Sequence, residues 1–494
     1  MKKQVFTLIL LSLIAVGLRI YKLDTHSYRG EELIRITEAQ TPVTESLAVN
    51  IRNPFFRLIL HFWLKLFHTS EFATRSLSII FGILSIIPLY LLARRLIDKK
   101  VALIVAYLAT ISPFYILLSR TVEDFTLSIL LASISLYLFI RWMEENIGLV
   151  WYVITTILML YSGPFLFLIL LGEWIYFGFR WQAIKDKLKS WLVGQLFILL
   201  GTTYWIVHFV QIFPAEVLAF DRLPALYVGS KLLYPFYAFS LGETVLPWNW
   251  KIVLPAAYIF AATLTFGLTR IKIKYRTLYF VLVFLLLPLA PAIGIGKIKV
   301  PISLTILGAI TFFDTYSIIN LYKDKEYHNQ SFTDNWQSLA EYVHKESITD
   351  TAQVVAYHRS FKWYYKGTNL MELSEHTEEQ LTKTEDSTYR GSRVFKGGSR
   401  QIPMESSGFL SEGVSPLPLK EKVIFVYTCG SGIFSSDDTR IHKFKEWLDH
   451  DFNCIQAVSF FENNDYKIKR RLLKREFPQF RVQVLTYERR RVLE

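Results

Sequence analysis

Two cysteines in 494 residues, Cys429 and Cys454, leave room for at most one disulfide, and neither has metal-ligand spacing around it. They admit one bridge, if that part of the chain is extracytoplasmic, or two free thiols. No glycine-rich phosphate-binding motif occurs. No internal repeat is visible, which weighs against a transporter built from paired halves. No small-x-small cleavage site follows the apolar opening run; Arg19 and Lys22 do. That absence argues against a cleaved signal peptide and for a retained first span with a cytoplasmic N-terminus. Acidic residues are outnumbered, 42 to 55, giving a formal charge of +13. Nucleic acid is not the expected partner, because many of the basic residues sit in short loops between apolar runs, where they report orientation. The basic cluster Lys467 to Arg475 reads as a solvated helix face or a contact with anionic headgroups.

What the chain has is apolar length. It is 52% hydrophobic and 16% aromatic, and most apolar residues precede residue 320. Runs near the ~20 residues needed to cross a bilayer fall at 4–21, 77–93, 101–118, 125–141, 149–161, 164–178, 191–209, 252–268, 277–293 and 301–319. Inside a membrane each backbone polar group needs an internal partner, so these are expected as helices. The pattern predicts an all-α polytopic bundle of about 10–11 spans over 1–320, with a soluble α/β domain over 321–494.

The basic loops at 94–100, 180–189 and 269–276 share the N-terminal side if spans alternate. The final parity stays open. Ten spans return the C-terminal domain to the cytoplasm, yet the basic turn 294–299 reads as cytoplasmic, which places that domain outside. The second outcome is the expectation here, with one of 149–178 or 277–293 miscounted. Outer loops are expected at about 22–75 and 210–250. Within the first, Pro54 to Phe67 is too short and charged for a span and predicts an interfacial helix.

In the second domain, 338–346 and 441–450 read as helices, and 353–357, 422–427 and 481–487 as strands. The stretch 368–418 reads as a long loop.

Polar chemistry is expected where loops meet the bundle. The pair Glu31-Glu32 follows the first span and offers a general base, or a dipole-favoured first helical turn. Glu123-Asp124 begins the fourth predicted span, where the helix dipole favours acids, and it shares the face of Glu31 and Glu32. Arg75 and Arg120, at span ends on that side, are suited either to phosphate oxygens or to interfacial anchoring. Glu173 and Asp314 fall inside apolar runs, where an ionisable group is costly. His61 lies on the interfacial segment, where a satisfied surface histidine is expected rather than a metal ligand.

The ordered set carries more than its members. Glu31-Glu32, then Asn53-Pro54-Phe55, Arg75, Ser112-Pro113-Phe114, Arg120 and Asp124 resemble the N-terminal half of the GT-C glycosyltransferases. More narrowly, the chain is similar to the dolichyl-phosphate-mannose protein mannosyltransferase-like, ArnT-like and RgtA/B/C/D-like membrane enzymes. The turn at Tyr161 and the segment Asp334 to Trp336 extend the likeness. The resemblance implies inverting transfer of a sugar from a polyprenyl-phosphate donor to a hydroxyl acceptor at the extracytoplasmic face. By it, Glu31 deprotonates the acceptor with Glu32 beside it in the catalytic set, Arg75 or Arg120 meets the departing phosphate, and Asp124 orients the acceptor or holds a divalent metal. Glu123 and His61 join the substrate-binding set. Membrane lipid is the expected surround. Two other readings stand beside this one: a lipid-linked substrate transporter or flippase, and a catalytically degenerate scaffold.

Overall fold

The structure is a computed structural model that describes residues 2–43, 53–163, 166–220, 225–270, 289–325, 333–349, 352–356, 358–372, 419–428, 439–462 and 480–490. Cys429, the 467–475 cluster, and most of 277–293 and of 368–418 lie outside them. The chain divides into two compact units, Met1–Thr333 and Asp334–Glu494.

The first unit is helical, and we number its helices α1 (Lys2–Ile20), α2 (Gly30–Gln40), α3 (Pro54–Phe67), α4 (Glu71–Leu84), α5 (Ile86–Leu96), α6 (Lys99–Ile111), α7 (Pro113–Ser119), α8 (Phe125–Glu145), α9 (Leu149–Leu160), α10 (Phe167–Phe179), α11 (Leu188–Phe220), α12 (Ala225–Leu241), α13 (Trp250–Arg270), α14 (Leu289–Lys297) and α15 (Val300–Tyr322). Among the described residues, six helices are long and apolar enough to cross a membrane, and the pair α6–α7, bent by 58°, is a seventh if it forms one span. Two shorter apolar helices, α9 and α10, fall where spans were expected. The predicted outer loop 210–250 is largely helical, since α11 runs on to Phe220 and α12 follows. Pro214 and Pro235 sit within those helices, as prolines do where neighbours can satisfy the freed carbonyls.

The bend before Pro113 shows how local chemistry shapes the bundle. Proline lacks the N–H that would close the turn onto Ala109, so a carbonyl is orphaned at membrane depth. Arg19 of α1, fully buried, supplies the missing donors: its guanidinium reaches Ala109 O at 3.0 Å and Thr110 O at 3.2 Å, and Ser119 Oγ at 3.2 Å. The close pass of α13 over α14 has a different cause. A Cβ on Gly294 would lie 2.1 Å from the Thr263 carbonyl, so only glycine allows that approach.

Polar ties sort the helix ends onto two faces. On one, Lys297 pairs with Asp98, Arg95 pairs with Glu144 and Glu145, and Lys187 donates to the carbonyls of Trp142 and Met143. On the other, Lys22 donates to Tyr322 O, His26 pairs with Asp324, and Asn320 donates to Thr244 O. The basic turn after α14 therefore shares a face with the 94–100 loop. Helix α13 starts beyond Thr244 and its 21 residues rise about 30 Å to the basic face. Helix α15 ends beside the end of α1, on the face opposite the start of α1.

Helix α3 has the bounds expected of the interfacial segment. Phe56, Leu60 and Leu64 are buried, while Phe62, Leu66 and Phe67 are exposed, leaving an apolar stripe for a bilayer surface.

Glu173 finds its partners across helices. Tyr152 of α9 donates to Glu173 Oε2 at 2.6 Å, and Gln195 of α11 donates to the Tyr152 hydroxyl. The other carboxyl oxygen is buried without a hydrogen bond among the described residues. Tyr152→Phe should cost about 1–2 kcal/mol by removing the remaining tie. Thermal unfolding in detergent checks this, and an unchanged midpoint would show that the network contributes nothing.

The second unit holds α16 (Trp336–Thr349), β1 (Gln353–Ala356), α17 (Arg359–Tyr364), β2 (Leu370–Glu372), β3 (Lys422–Thr428), α18 (Thr439–Asp451), β4 (Phe452–Glu462) and β5 (Phe480–Arg489). The sheet order is β2-β1-β3-β5-β4, with β2, β1 and β3 parallel and β5 antiparallel to both neighbours. Successive residues serve opposite faces: Val354, Ile424 and Val426 pack against α16, and Val355, Phe425 and Tyr427 against α18. Covering both faces makes the strands apolar throughout, which is why β1 and β3 were readable in the sequence.

Candidate active site

One face of the first unit gathers the sequence candidates. Glu32 is the third residue of α2 and almost wholly buried. Its carboxylate accepts four hydrogen bonds of 3.0 Å: from Arg29 N–H, from Val122 N–H, and from Arg75 Nε and Nη2. Burial opposes its ionisation, but the charge and hydrogen bonds of Arg75, with Arg29, hold its carboxyl below the ordinary range. Arg75 spends its remaining N–H groups on the carbonyls of Leu23, His26 and Ser27. Arg75, in the second turn of α4, thus ties that helix to α2 and to the segment after α1, and Glu32 carries the tie on to Val122 in the 120–124 turn.

Arg120 is committed to backbone as well. It donates to the carbonyls of Arg19, Tyr21 and Lys22 at 3.1, 2.5 and 2.7 Å and lies over the Tyr322 ring. A guanidinium there satisfies the orphan carbonyls at the end of α1 and suits its dipole. His61 is buried on α3, where its Nδ1 meets Ala39 O at 2.6 Å and docks α3 onto α2. Arg57 performs the same docking through Glu38 O and Thr41 Oγ1.

Two carboxylates remain that are not enclosed by such a cage. Glu123 pairs with Arg29 across the turns. Burial pushes its carboxyl up to about 7; Arg29 opposes this, and Asp124, Glu32 and Glu31 add to it. Asp124 precedes α8 and accepts from Asn53 Nδ2 at 2.6 Å. Burial raises it to about 6, against the pull of Arg35. Glu31 is exposed beside them on α2. Arg35, Glu38, Asn53, Phe56, Arg57 and Leu60 line a shallow recess next to Asp124. Tyr161, at the end of α9, accepts from Phe55 N–H at 3.2 Å, so the tyrosine turn also reaches this face.

The structure therefore brings Glu31, Glu32, Glu123, Asp124 and Arg75 together, with Arg120 and His61 at the margins. Arg29, Arg35 and Asn53 join them in roles that the sequence did not single out. The signal for Arg29 was its place two residues before the acidic pair, where a cation meets helix-start carboxylates. Among the described residues no group of three or more His, Cys, Asp or Glu converges as metal ligands. The carboxylates face guanidinium and amide groups. Asp314 lies elsewhere, in an apolar cavity with Phe239, Phe260 and Ile310.

Residues 52–208 match the family described as Dolichyl-phosphate-mannose-protein mannosyltransferase. The match takes in Asn53, Arg75, Arg120, Glu123 and Asp124. A curated relative, an uncharacterized protein of Aquifex aeolicus (strain VF5), is 21% identical over 281 residues, or 55% of this chain and 54% of the relative. The chain thus spans about half the length of the curated relative it matches. Similar solved structures include ArnT from Cupriavidus metallidurans bound to undecaprenyl phosphate, at 11% identity and TM-score 0.49, covering 97% of each chain. They also include the oligosaccharyltransferase AglB from Archaeoglobus fulgidus, at 13% identity and TM-score 0.45, covering 73% of this chain and 63% of that one. The arabinofuranosyltransferase AftD from Mycobacteria has 12% identity and TM-score 0.47, covering 97% and 39%.

Proposed function

We propose that the chain transfers a sugar from a polyprenyl-phosphate donor to a hydroxyl acceptor, with inversion, at the extracytoplasmic face. One observation carries the reading: the acidic turn at 123–124 is bolted to the acidic helix start at 31–32 through Glu32, Arg75 and Val122 N–H. Two outer turns 90 residues apart in sequence thereby form one polar site at the end of an apolar bundle. A lipid-linked donor stays in the bilayer, and a site at the membrane surface meets its phosphate while the prenyl tail remains among lipids.

Within that site Asp124 is the general base. Its proton affinity is raised by burial, and Asn53 holds it in one orientation, the two conditions that suit a carboxylate to take a hydroxyl proton near neutral pH. Glu31, exposed in the same cluster, orients the acceptor. Glu32 and Arg75 hold the turns in register. The basic ends at 94–100 and 297 mark the cytoplasmic face by the positive-inside rule, which puts the acidic turns and the exit of α15 outside.

The test is transfer from synthetic polyprenyl-phosphate sugars by the purified protein in liposomes. A base must be deprotonated to act, so kcat/KM should rise as pH increases through about 6 and then level. A flat profile between about pH 5 and pH 7 would remove Asp124 from that role. Absence of transfer from every donor tried would remove the function.

A further inference from the structure

Resting on the proposed function, the inference concerns which guanidinium receives the donor's phosphate. Five arginines surround the outer turns. Arg75 spends its five N–H groups on Glu32 and on backbone carbonyls. Arg120 and Arg57 are bonded to the carbonyls that end helices. Reassigning any of these would uncover buried carbonyls. Arg35 and Arg29 instead meet carboxylates that can exchange: Arg35 faces Glu38 at 3.6 Å, on its own helix, and Arg29 faces Glu123 across the turn.

The two carboxylates differ in what surrounds them. Glu123 is largely covered and lies near Glu31 and Glu32 of α2 and Asp124 of its own turn, while the Arg75 fork is bonded to Glu32. Three acids against one facing cation make it the carboxylate that gives up its charge most readily. We propose that Glu123 is a place-holder for phosphate: it neutralises Arg29 between turnovers, and the phosphodiester of the donor displaces it, Glu123 taking one proton from solvent as Arg29 changes partner. Arg29 keeps all its protons, and the local charge is unchanged, since one anion replaces another. When the sugar leaves, the phosphate gains negative charge, and Arg29 is then already in place to stabilise it.

The probe is a farnesyl methyl phosphodiester, which does not titrate near neutrality, so any proton taken up belongs to the protein. Its binding to the full chain in neutral-lipid nanodiscs is followed by calorimetry in buffers of different ionisation enthalpy. Wild type should take up nearly one proton per ligand at about pH 8.5 and almost none at about pH 5.5. Glu123→Gln should abolish the uptake and bind about 30-fold more tightly than wild type at about pH 8.5, the gap between that pH and a value of about 7. Arg29→Gln should weaken binding at both pH values. Wild-type binding without pH-dependent uptake overturns the exchange and leaves the proposed function standing. That measurement needs no variant to fold. Equal affinity of the Glu123→Gln protein and wild type at the higher pH overturns it too. If the wild type binds no phosphodiester at either pH, the exchange and the proposed function fall together.

Discussion

Asp124→Asn is expected to lower kcat for sugar transfer by about 10²–10⁴-fold while leaving the fold intact. The exchange is nearly isosteric. An asparagine oxygen in the same place still accepts from Asn53 Nδ2, the bond seen at 2.6 Å, so the contact across the two turns survives. What is lost is the ability to take a proton. Asp124 stands at the N-cap position of α8, yet its side chain makes no capping bond, so the substitution removes no support from the helix start. A structural role and a chemical one then separate cleanly. Loss of a structural contact would lower thermal stability and activity together. Loss of the base would lower kcat with the melting temperature and donor affinity held, and would erase the rise in rate through about pH 6. Glu31→Gln serves as the internal comparison: if it removes turnover while Asp124→Asn does not, the base is the exposed acid on α2.

The spans were legible because a bilayer imposes one length scale on apolar runs, and α3 was legible because its charges are too many for a span. The acidic pairs were legible as sites because they interrupt that pattern at span ends. Their division of labour was not. Glu31 and Glu32 are neighbours in sequence, but a helix turns successive side chains by 100°, so one faces water and the other Arg75. Arg75 and Arg120 each look like a free cation beside a membrane. Only the path of the backbone near 19–27 shows that carbonyls claim both. Strand β4 escaped notice because it sits at the sheet edge, where Asn453, Cys454, Ile455 and Gln456 are exposed and no alternation survives.

Arg75→Leu should destabilise the first unit by about 3–5 kcal/mol, the cost of leaving a buried carboxylate without its counter-ion. Three carbonyls lose donors in the same step, so the figure belongs at the upper end. Arg75→Lys should recover little, because an ammonium cannot span both Glu32 oxygens while also serving Leu23, His26 and Ser27. The informative variant is the double change Glu32→Met with Arg75→Met. Removing both charges removes the uncompensated ion, and buried pairs replaced by apolar residues are often neutral for stability. Here the double variant should melt well above Arg75→Leu in detergent yet remain inactive, since nothing then ties Val122 N–H to α2 or sets Asp124 against its neighbours. The pH dependence gives a second handle. Glu32 has a depressed carboxyl, so its contribution is present above the ordinary value of about 4.3 and is lost as pH falls through the folded value. Wild type should lose that stability in acid, and the double variant should lose less. Were Arg75→Leu to melt with wild type, the fork could not be what holds the two outer turns together, and the site built on their meeting would have no frame.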